Sequence, residues 1–394
     1  MRGDRSAVAG TCLPALMLCL LAAAAGPASA REKPLPLHAV LDSLRIASGV
    51  PAMAAAVVVQ GKVIASGSAG VRVAGGKDAL KSGDPFHIGS CTKGMTAYMI
   101  ARLVEQGKLR WSTTVGEAFP ELRSVMRPEY AGVRLDQLLS HRGGIPPYTD
   151  LPDDTLLALN QAGRTPVEVR RAFVARVLQE SPVHDTNAIY TYSNAGYTVA
   201  AVMAERATGR SWEDLMHWEV FEPLKMKSAG FGWPAVPLGH RTTFGHWCDS
   251  TGIVHVVARD DPYRLGAILA PGGDVHANIG DLAHWMRLNL DGAMHRAGAG
   301  AIADSTWRRL QTDPDGASKG YAMGWQVIAV SDSETALFHD GTAGTFYTRM
   351  VIFPKRDRAV VIATNAGAPC GERACEDALG VVMTEVRRQL GPIR

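Results

Sequence analysis

Two periods of apolar and polar residues along the chain predict its first elements. Between residues 51 and 73, the text "PAMAAAVVVQGKVIASGSAGVRV" holds two β-prone runs on either side of Gln60-Gly61, which is typical of a β-hairpin. From about Thr92 to Gln106, apolar residues recur every three or four positions, which predicts a helix that ends at Gly107. A hairpin followed by an amphipathic helix is therefore expected.

The rest of the chain also divides by its periodicity. From about residue 111 to 234 it is predicted to be helical and rich in loops, with apolar stripes in "TPVEVRRAFVARVLQE" and "NAGYTVAAVMAERATG". Strand-like runs return later, before a final amphipathic helix: "GWQVIAV", "FYTRMVIFP", "RAVVIATN" and "ERACEDALGVVMTEVRRQL". This order predicts an α/β (α+β) protein in which residues 31–110 and 265–394 share one sheet and residues 111–264 form an inserted all-α subdomain.

The first thirty residues have the pattern of a secretory signal peptide. Arg2 and Arg5 precede an apolar stretch from Leu13 to Ala25, and Ala28-Ser29-Ala30 follows the small-x-small pattern of a cleavage site. A membrane anchor is the alternative, but the apolar run is shorter than the ~20 residues that span a bilayer. We therefore expect cleavage after Ala30 and a periplasmic or secreted protein without a membrane span.

Charge narrows the choice of partners. The formal net charge is +3, and no basic block stands out along the chain. Nucleic acid and anionic membranes are therefore poor candidates for partners, because both need a concentrated positive surface.

Four cysteines follow the predicted signal peptide: Cys91, Cys248, Cys370 and Cys375. In an oxidising compartment Cys370 and Cys375, which flank "GERA", are expected either to form a local disulfide or to remain two thiols. Cys91 and Cys248 are expected to be small buried apolar residues rather than reactive thiols.

Several common catalytic patterns fail in this chain. Residues 316–320 match G-x-S-x-G, but they follow a turn and precede a strand, whereas a nucleophile elbow needs a strand, a turn and a helix. Ser318 is therefore interpreted as a loop residue. The chain contains no H-E-x-x-H and no C-x-x-C, and its histidines lack ligand spacing, so neither a metal nor an organic cofactor is implied.

Ser90 and Lys93 form the best candidate for a catalytic pair. Residues three apart on a helix share a face, so the hydroxyl and the amine can meet. The backbone N–H of Ser90 at a helix start can also contribute to an oxyanion hole. Lysine has a reference pKa of ~10.4, but burial lowers it enough for the amine to accept a proton. The alternative is that Ser90 caps the helix and Lys93 points outward, and the pair alone does not decide.

The context of this pair resembles a known family. "PFHIGSCTKGMTAYMIARLVEQGKL" resembles the nucleophile helix of the serine β-lactamase and penicillin-binding protein superfamily, in the class C-like group of DD-peptidases, D-aminopeptidases, esterases and class C β-lactamases. The resemblance continues in order over the whole mature chain: "LDQLLSHRGGIPPY", "YTYSNAGYTVAAVMAERATGRSWEDLMHWEVFEPLKM", "PGGDVHANIGDLAHW", "YAMGWQVI" and "HDGTAGTFYTRMVIFPKRDRAVVIATNAG". It implies an antiparallel sheet flanked by helices.

The resemblance also implies roles for further residues. Tyr192 and Asn194 match the Tyr-x-Asn element, in which Tyr192 or Lys93 is the base and Asn194 binds Lys93 and the substrate. His339 is expected to open the strand that lines the site. Gly341 in that strand would allow close approach of substrate, and the N–H of Thr342 would be the second oxyanion donor. His276 stands where a small hydroxyl residue is commoner.

His339 replaces the lysine that many relatives carry in a Lys-Thr-Gly element. A lysine suits a substrate carboxylate, whereas a histidine holds a carboxylate only when protonated and otherwise donates one hydrogen bond. We therefore expect an exported serine hydrolase with a Ser90 acyl-enzyme and a small-molecule or peptide substrate, similar to DD-carboxypeptidases and D-aminopeptidases. The alternatives are a carboxylesterase, a class C-type β-lactamase and a catalytically silent relative that binds peptidoglycan.

Overall fold

The computed structural model describes residues 35–184, 189–234, 242–257, 265–316 and 320–390. The predicted signal peptide and Ser318 lie outside these described residues. Within them the chain forms these strands: β1 Leu35–Pro36, β2 Ala52–Val59, β3 Lys62–Gly70, β4 Phe86–His87, β5 Gly230–Phe231, β6 His246–Cys248, β7 Val254–Val256, β8 Val275–Ala277, β9 Gly320–Tyr321, β10 Gln326–Ser331, β11 Glu334–Thr342, β12 Tyr347–Phe353 and β13 Arg358–Thr364.

Twelve helices accompany these strands in the described part of the chain: α1 His38–Ser48, α2 Thr92–Glu105, α3 Val115–Ala118, α4 Leu135–Leu139, α5 Asp153–Asn160, α6 Pro166–Val177, α7 Asn194–Thr208, α8 Trp212–Met216, α9 Gly266–Gly273, α10 Ile279–Ala293, α11 Asp304–Gln311 and α12 Cys370–Leu390. The predicted hairpin is confirmed as β2 and β3, joined at Gln60-Gly61. The helix predicted from about Thr92 to Gln106 is α2, and Gly107 follows it with a φ of +69°.

One eight-stranded sheet organises the fold, in the order β1-β3-β2-β13-β12-β11-β10-β9. Its first three strands come from residues 35–70 and the other five from residues 320–364. Every neighbouring pair is antiparallel except β1 and β3. The prediction of an antiparallel sheet flanked by helices and completed by both chain ends is confirmed. The division into subdomains 31–110 with 265–394 and 111–264 stays a prediction.

The strand β2 explains why the sheet needs helices on both faces. All eight of its residues are buried, and they alternate between two hydrophobic clusters. Ala54 and Ala56 share a cluster with residues of α2 and α10, whereas Met53 and Val57 share a cluster with residues of α1 and α12. A strand covered on both faces reads as a continuous apolar run, which is what "AMAAAVVV" is.

The structure corrects the predicted strand around His339. His339 does not open a strand that runs on to Phe353; it lies near the end of β11, and β12 begins after a turn at residues 343–346. The two strands are antiparallel, with Gly341 opposite Thr348 and Thr342 opposite Tyr347. The first two residues of "GTAG" end β11 and the last two lie in this turn, which the apolar residues on both sides conceal in the sequence.

The cysteine pairing also differs from the expectation. Cys370 is bonded to Cys248, 122 positions earlier in the sequence, so both expected alternatives, a Cys370–Cys375 bridge and two thiols, are wrong. Cys375 is a buried thiol on α12. Cys91 is buried as expected, whereas Cys248 lies at the end of β6 and is a disulfide partner rather than a small apolar residue.

No helix among the described residues is both long enough and apolar enough to cross a membrane.

We expect the Cys248–Cys370 bridge to contribute about 2–5 kcal/mol to the free energy of unfolding, because it closes a long loop in the unfolded chain. A variant with Cys248→Ala and Cys370→Ala should unfold at lower denaturant concentration than the wild type. Reducing agent should shift the midpoint of the wild type but leave that of the double variant in place. Equal midpoints for oxidised wild type and double variant would contradict the expectation.

Candidate active site

Ser90 lies where a short strand passes into a helix. β4 ends at His87, a 3₁₀ turn spans Gly89–Cys91, and α2 begins at Thr92. Ser90 is half-buried and lines a cleft of about 280 Å³. The N-cap residue of α2 is Cys91, and the Ser90 hydroxyl instead lies 3.2 Å from Lys93 Nζ. The interpretation of Ser90 as a helix cap is therefore wrong, and its hydroxyl is available to the cleft.

The turn that carries Ser90 packs directly against the end of β11. A Cβ atom on Gly341 would lie 1.9 Å from the carbonyl oxygen of Ile88 and 2.9 Å from the amide nitrogen of Ser90. A Cβ atom on Gly89, whose φ is +49°, would lie 2.3 Å from the amide nitrogen of Thr342. Only glycine fits at both positions. Ser90 and Thr342 consequently line one cleft from two elements.

Lys93 is fully buried, and its amine contacts three oxygen atoms. Nζ lies 2.7 Å from Asn194 Oδ1, 2.7 Å from the carbonyl oxygen of Gly272 and 3.2 Å from Ser90 Oγ. Burial lowers the pKa of Lys93 to about 7, because desolvation disfavours the ammonium form. The interpretation in which Lys93 points outward is therefore wrong.

These three contacts suit a neutral amine as well as an ammonium. A neutral amine has two N–H groups and one lone pair. The two shorter contacts go to an amide oxygen and a carbonyl oxygen, which only accept hydrogen bonds. The lone pair is then left for the third neighbour, the hydroxyl of Ser90. In this state Lys93 can accept the proton of Ser90.

Tyr192 and Asn194 approach the same amine from the start of α7. Asn194 accepts from Lys93 through Oδ1 and donates through Nδ2 to the carbonyl oxygen of Tyr148, at 3.0 Å. The ring of Tyr192 is centred 4.6 Å from Lys93 Nζ. Burial raises the pKa of Tyr192, and a hydrogen bond with the Ser90 side chain opposes that rise. Tyr192 is therefore a neutral phenol beside both Ser90 and Lys93.

His339 is buried next to this group, and both of its ring nitrogens have partners. Nδ1 donates to the carbonyl oxygen of Asp340 at 2.6 Å, so Nε2 is the acceptor and receives the hydroxyl of Tyr321 at 3.0 Å. Burial, together with the charge of Lys93, lowers the pKa of His339 to about 4. The ring is therefore neutral and already fully hydrogen-bonded.

Residues 141–148, which we call the cradle loop, hold the Tyr-x-Asn element. Ser193 Oγ donates to the carbonyl oxygen of Pro146 at 2.7 Å, and the N–H of Asn194 donates to that of Pro147 at 2.8 Å. These partners are backbone carbonyls, which carry no side-chain signature, so the residue pattern alone does not single them out. The same is true of the Gly272 carbonyl. Tyr321 lay within "YAMGWQVI", the segment already matched to the family.

The cleft beside Ser90 is lined by both polar and apolar groups. Four of its lining residues are leucines, and Asp150 is the one ionisable side chain among the described lining residues. The full lining comprises Ser90, Thr149, Asp150, Leu151, Leu156, Asn194, Leu265, Leu269, Gly272, Gly273, Thr342, Ala343 and Gly344. His339 and Gly341 are not part of this lining, although both lie on β11 beside Thr342.

The serine β-lactamases and penicillin-binding proteins share two features with this site. They carry a serine and a buried lysine at the start of one helix, and that helix lies beside a sheet built from the N-terminal and C-terminal parts of the chain. The chain belongs to the Beta-lactamase family, whose model matches residues 37–380. The resemblance to this superfamily is confirmed, and the family match supports a hydrolase of the serine β-lactamase fold, a class that implies a small-molecule substrate.

Individual relatives agree with this assignment. Penicillin-binding protein 4 of Amycolatopsis lactamdurans is 25% identical over 341 residues, which cover 83% of this chain and 84% of the relative. An octameric penicillin-binding protein homologue from Pyrococcus abyssi has a TM-score of 0.70 at 21% identity, over 88% of this chain and 76% of that one. A D-stereospecific amidohydrolase from Streptomyces sp. has a TM-score of 0.64 at 21% identity, over 86% and 96%. The two solved structures show a shared fold.

We expect the reactivity of Ser90 to rise as the pH rises through about 7, because only the neutral amine of Lys93 has a lone pair to accept the hydroxyl proton. The rate of covalent labelling of Ser90 by an excess of fluorophosphonate, followed against pH, measures this. Lys93→Met should remove both the fast rate and its pH dependence. Lys108→Met, at an exposed position outside the site, is the matched control and should leave the profile unchanged. A rate in the wild type that is flat across this range would contradict the expectation.

Proposed function

We propose that the protein is an exported serine hydrolase that cleaves amides or esters through an acyl-enzyme on Ser90. The observation that carries the proposal is the buried amine of Lys93, whose two shorter contacts leave a lone pair for Ser90 Oγ at 3.2 Å. A relative that only binds peptidoglycan has no use for a desolvated amine beside a serine, since burying it costs free energy. The arrangement therefore favours the enzyme over a silent binding protein.

In the proposed acylation step, Ser90 Oγ attacks the substrate carbonyl and Lys93 takes the hydroxyl proton. The N–H groups of Ser90 and Thr342 donate to the oxyanion of the tetrahedral intermediate. When the intermediate collapses, the bond to the leaving amine or alcohol breaks, and the proton passes to that leaving group through Tyr192. The raised pKa of Tyr192 supports this assignment, because a neutral phenol relays a proton but does not abstract one at neutral pH.

In the deacylation step, a water molecule attacks the acyl carbon and gives its proton to the same amine. The ester bond to Ser90 Oγ then breaks, the serine recovers a proton from Lys93, and the free acid leaves. The chemistry needs only a nucleophile, one base and two oxyanion donors, so no cofactor has a role in it.

The surroundings of His339 bear on the choice of substrate. The neutral ring donates to Asp340 and accepts from Tyr321, so it has no free N–H for a substrate carboxylate. No lysine, arginine or histidine side chain is present among the described residues that line the cleft, whereas Asp150 is. A carboxylate there favours acyl groups that carry an ammonium. We therefore propose a substrate similar to that of D-aminopeptidases, an amide of an amino acid with a free amino group, ahead of a DD-carboxypeptidase substrate.

Ester hydrolysis is the second candidate, and the leucines that line the cleft favour it. Four leucines, Leu151, Leu156, Leu265 and Leu269, line the cleft and suit an alkyl or aryl group. An ester needs the same nucleophile and oxyanion donors and makes no demand on His339. The fold shared with a D-stereospecific amidohydrolase is compatible with the first candidate but does not exclude the second.

The proposed export rests on the signal-like first thirty residues and on the disulfide. The bond between Cys248 and Cys370 supports an oxidising compartment, because disulfides persist outside the reducing cytosol. A periplasmic or secreted location is therefore proposed.

We expect a fluorophosphonate to label the folded wild type, with Ser90 Oγ bonded to phosphorus and fluoride released. Ser90→Ala should abolish the label, which mass spectrometry of the intact protein measures. Ser43→Ala, at an exposed serine on α1, is the matched control and should be labelled like the wild type. An unlabelled wild type, or equal labelling of Ser90→Ala, would refute the serine hydrolase proposal and favour a silent relative.

We expect a D-amino acid amide with a free amino group to be hydrolysed faster than its N-acetyl counterpart. Asp150→Asn should raise KM for the free amine by about tenfold, the effect of one charge-assisted hydrogen bond, and leave the acetylated amide unaffected. The same panel should include a D-Ala-D-Ala peptide, nitrocefin and a short-chain p-nitrophenyl ester. Turnover of the ester alone would favour the esterase, and turnover of the D-Ala-D-Ala peptide or nitrocefin alone would overturn the proposed substrate.

A further inference from the structure

The residue His141 holds the backbone of the Tyr-x-Asn element on both sides of Tyr192. The N–H of Thr191 donates to the carbonyl oxygen of His141 at 2.9 Å, and the N–H of Ser193 donates to its ring Nδ1 at 3.0 Å. One residue thus accepts hydrogen bonds from the amides immediately before and after Tyr192. The phenol that contacts Ser90 is consequently fixed through two backbone bonds to a single neighbour.

The conformation of His141 shows that this arrangement constrains the backbone. His141 has a φ of +60°, in the left-handed region that few side chains adopt, and it is 2% exposed. Such a conformation costs free energy and persists only where the surroundings enforce it. The other end of the cradle loop has the same feature, since Tyr148, which accepts from Asn194, has a φ of +50°.

The hydrogen bond from Ser193 also defines the protonation of the ring. Because Nδ1 accepts, the single proton of a neutral imidazole must be on Nε2. A doubly protonated ring would place an N–H against the N–H of Ser193 and would break the contact. Nε2 is buried and has no hydrogen-bond partner among the described residues.

The groups around His141 also disfavour its charged form. Burial lowers the pKa of His141 well below the usual value, and the nearby positive charges act in the same direction. The ring is packed among aromatic side chains, with its centroid 4.4 Å from that of Tyr192. The titratable or charged groups that face it are Lys93, Arg142, Tyr190, Tyr192, Tyr197, Tyr321 and His339.

We propose that His141 is a positioning residue for proton transfer, which holds Tyr192 in register with Ser90 by accepting the amide of Ser193 on a neutral ring. His141 does not line the cleft, so it acts through Tyr192 rather than on the substrate. The proposal rests on the function proposed above. Its test therefore includes a measurement that does not depend on turnover.

The first measurement is the nitrogen NMR spectrum of wild-type protein labelled with ¹⁵N-histidine, recorded over the pH range in which Ser90 is labelled. We expect His141 to be neutral, with its proton on Nε2, throughout. A proton on Nδ1, or a charged ring, in the reactive range would overturn the proposal. The tautomer is measured without substrate, so this result tests the role of His141 separately from the proposed function. A wild-type Ser90 that fails to react would refute the serine hydrolase, and not the tautomer of His141.

The second measurement compares His141→Asn with His141→Gly. Both residues tolerate a positive φ, but only asparagine places an acceptor oxygen near the position of Nδ1. We expect His141→Gly to lower kcat on the order of 10²-fold with KM nearly unchanged, as for a misplaced catalytic group, and His141→Asn to stay within about tenfold of the wild type. Thermal unfolding of both variants identifies a loss caused by instability.

The two variants decide the proposal by their difference. Equal kcat values for His141→Gly and His141→Asn, whether both high or both low, would overturn it, because the acceptor would then have no separate effect. If His141→Gly does not fold, the wild-type tautomer and the kcat of His141→Asn remain decisive. An asparagine variant that folds like the wild type but has lost kcat as far as the 10²-fold range would count against the proposal.

Discussion

The site depends on a primary amine that is removed from water. An ammonium buried in protein costs several kcal/mol unless its charge is compensated or lost. Here the amine of Lys93 contacts two neutral oxygen acceptors and, among the described residues, no carboxylate, so its pKa falls to about 7 instead of being held high by an ion pair. A carboxylate in place of Asn194 would stabilise the ammonium, and the lone pair that faces Ser90 would be lost. The neutral charge of the Asn194 amide is therefore as important as its shape, because it does not stabilise the ammonium form of Lys93.

The same exclusion of water acts on the neighbours of that amine. His339 and His141 are both buried near Lys93, and both are pushed towards the neutral ring. The phenols of Tyr192 and Tyr321 are likewise kept protonated by burial. The interior of the site therefore contains many titratable groups but little fixed charge. Because the protein interior screens charge weakly, a change in the protonation of one group shifts the pKa values of its neighbours.

The sequence predicted the elements whose signal is local and missed the contacts that only the folded chain brings together. The β2–β3 hairpin and helix α2 were predictable because their apolar periods are short and regular. The candidate serine, lysine and tyrosine rest on a resemblance that spans the whole mature chain, and their catalytic roles are proposals. The partner of Cys370 could not be found, because Cys248 lies far away in sequence and on a short hairpin with no strong pattern. The cradle loop holds the Tyr-x-Asn element mostly through backbone carbonyl groups. Every residue has such a group, so the sequence does not mark these contacts.

Because the sheet contains strands from both the N-terminal and the C-terminal part of the chain, the site cannot be completed until most of the chain has been synthesised. Ser90, Lys93 and Tyr192 are all synthesised before β11, yet the turn at Ser90 is shaped against Gly341 on that strand. A nascent chain that has emerged only as far as α10 thus contains the proposed nucleophile but lacks the strand that carries Thr342, the second proposed oxyanion donor. Pairing β2 with β13 likewise waits for the C-terminal part of the chain, and contacts so distant in sequence form slowly. An incomplete chain, whether still being made or cut short, should therefore carry the reactive residues without being an enzyme.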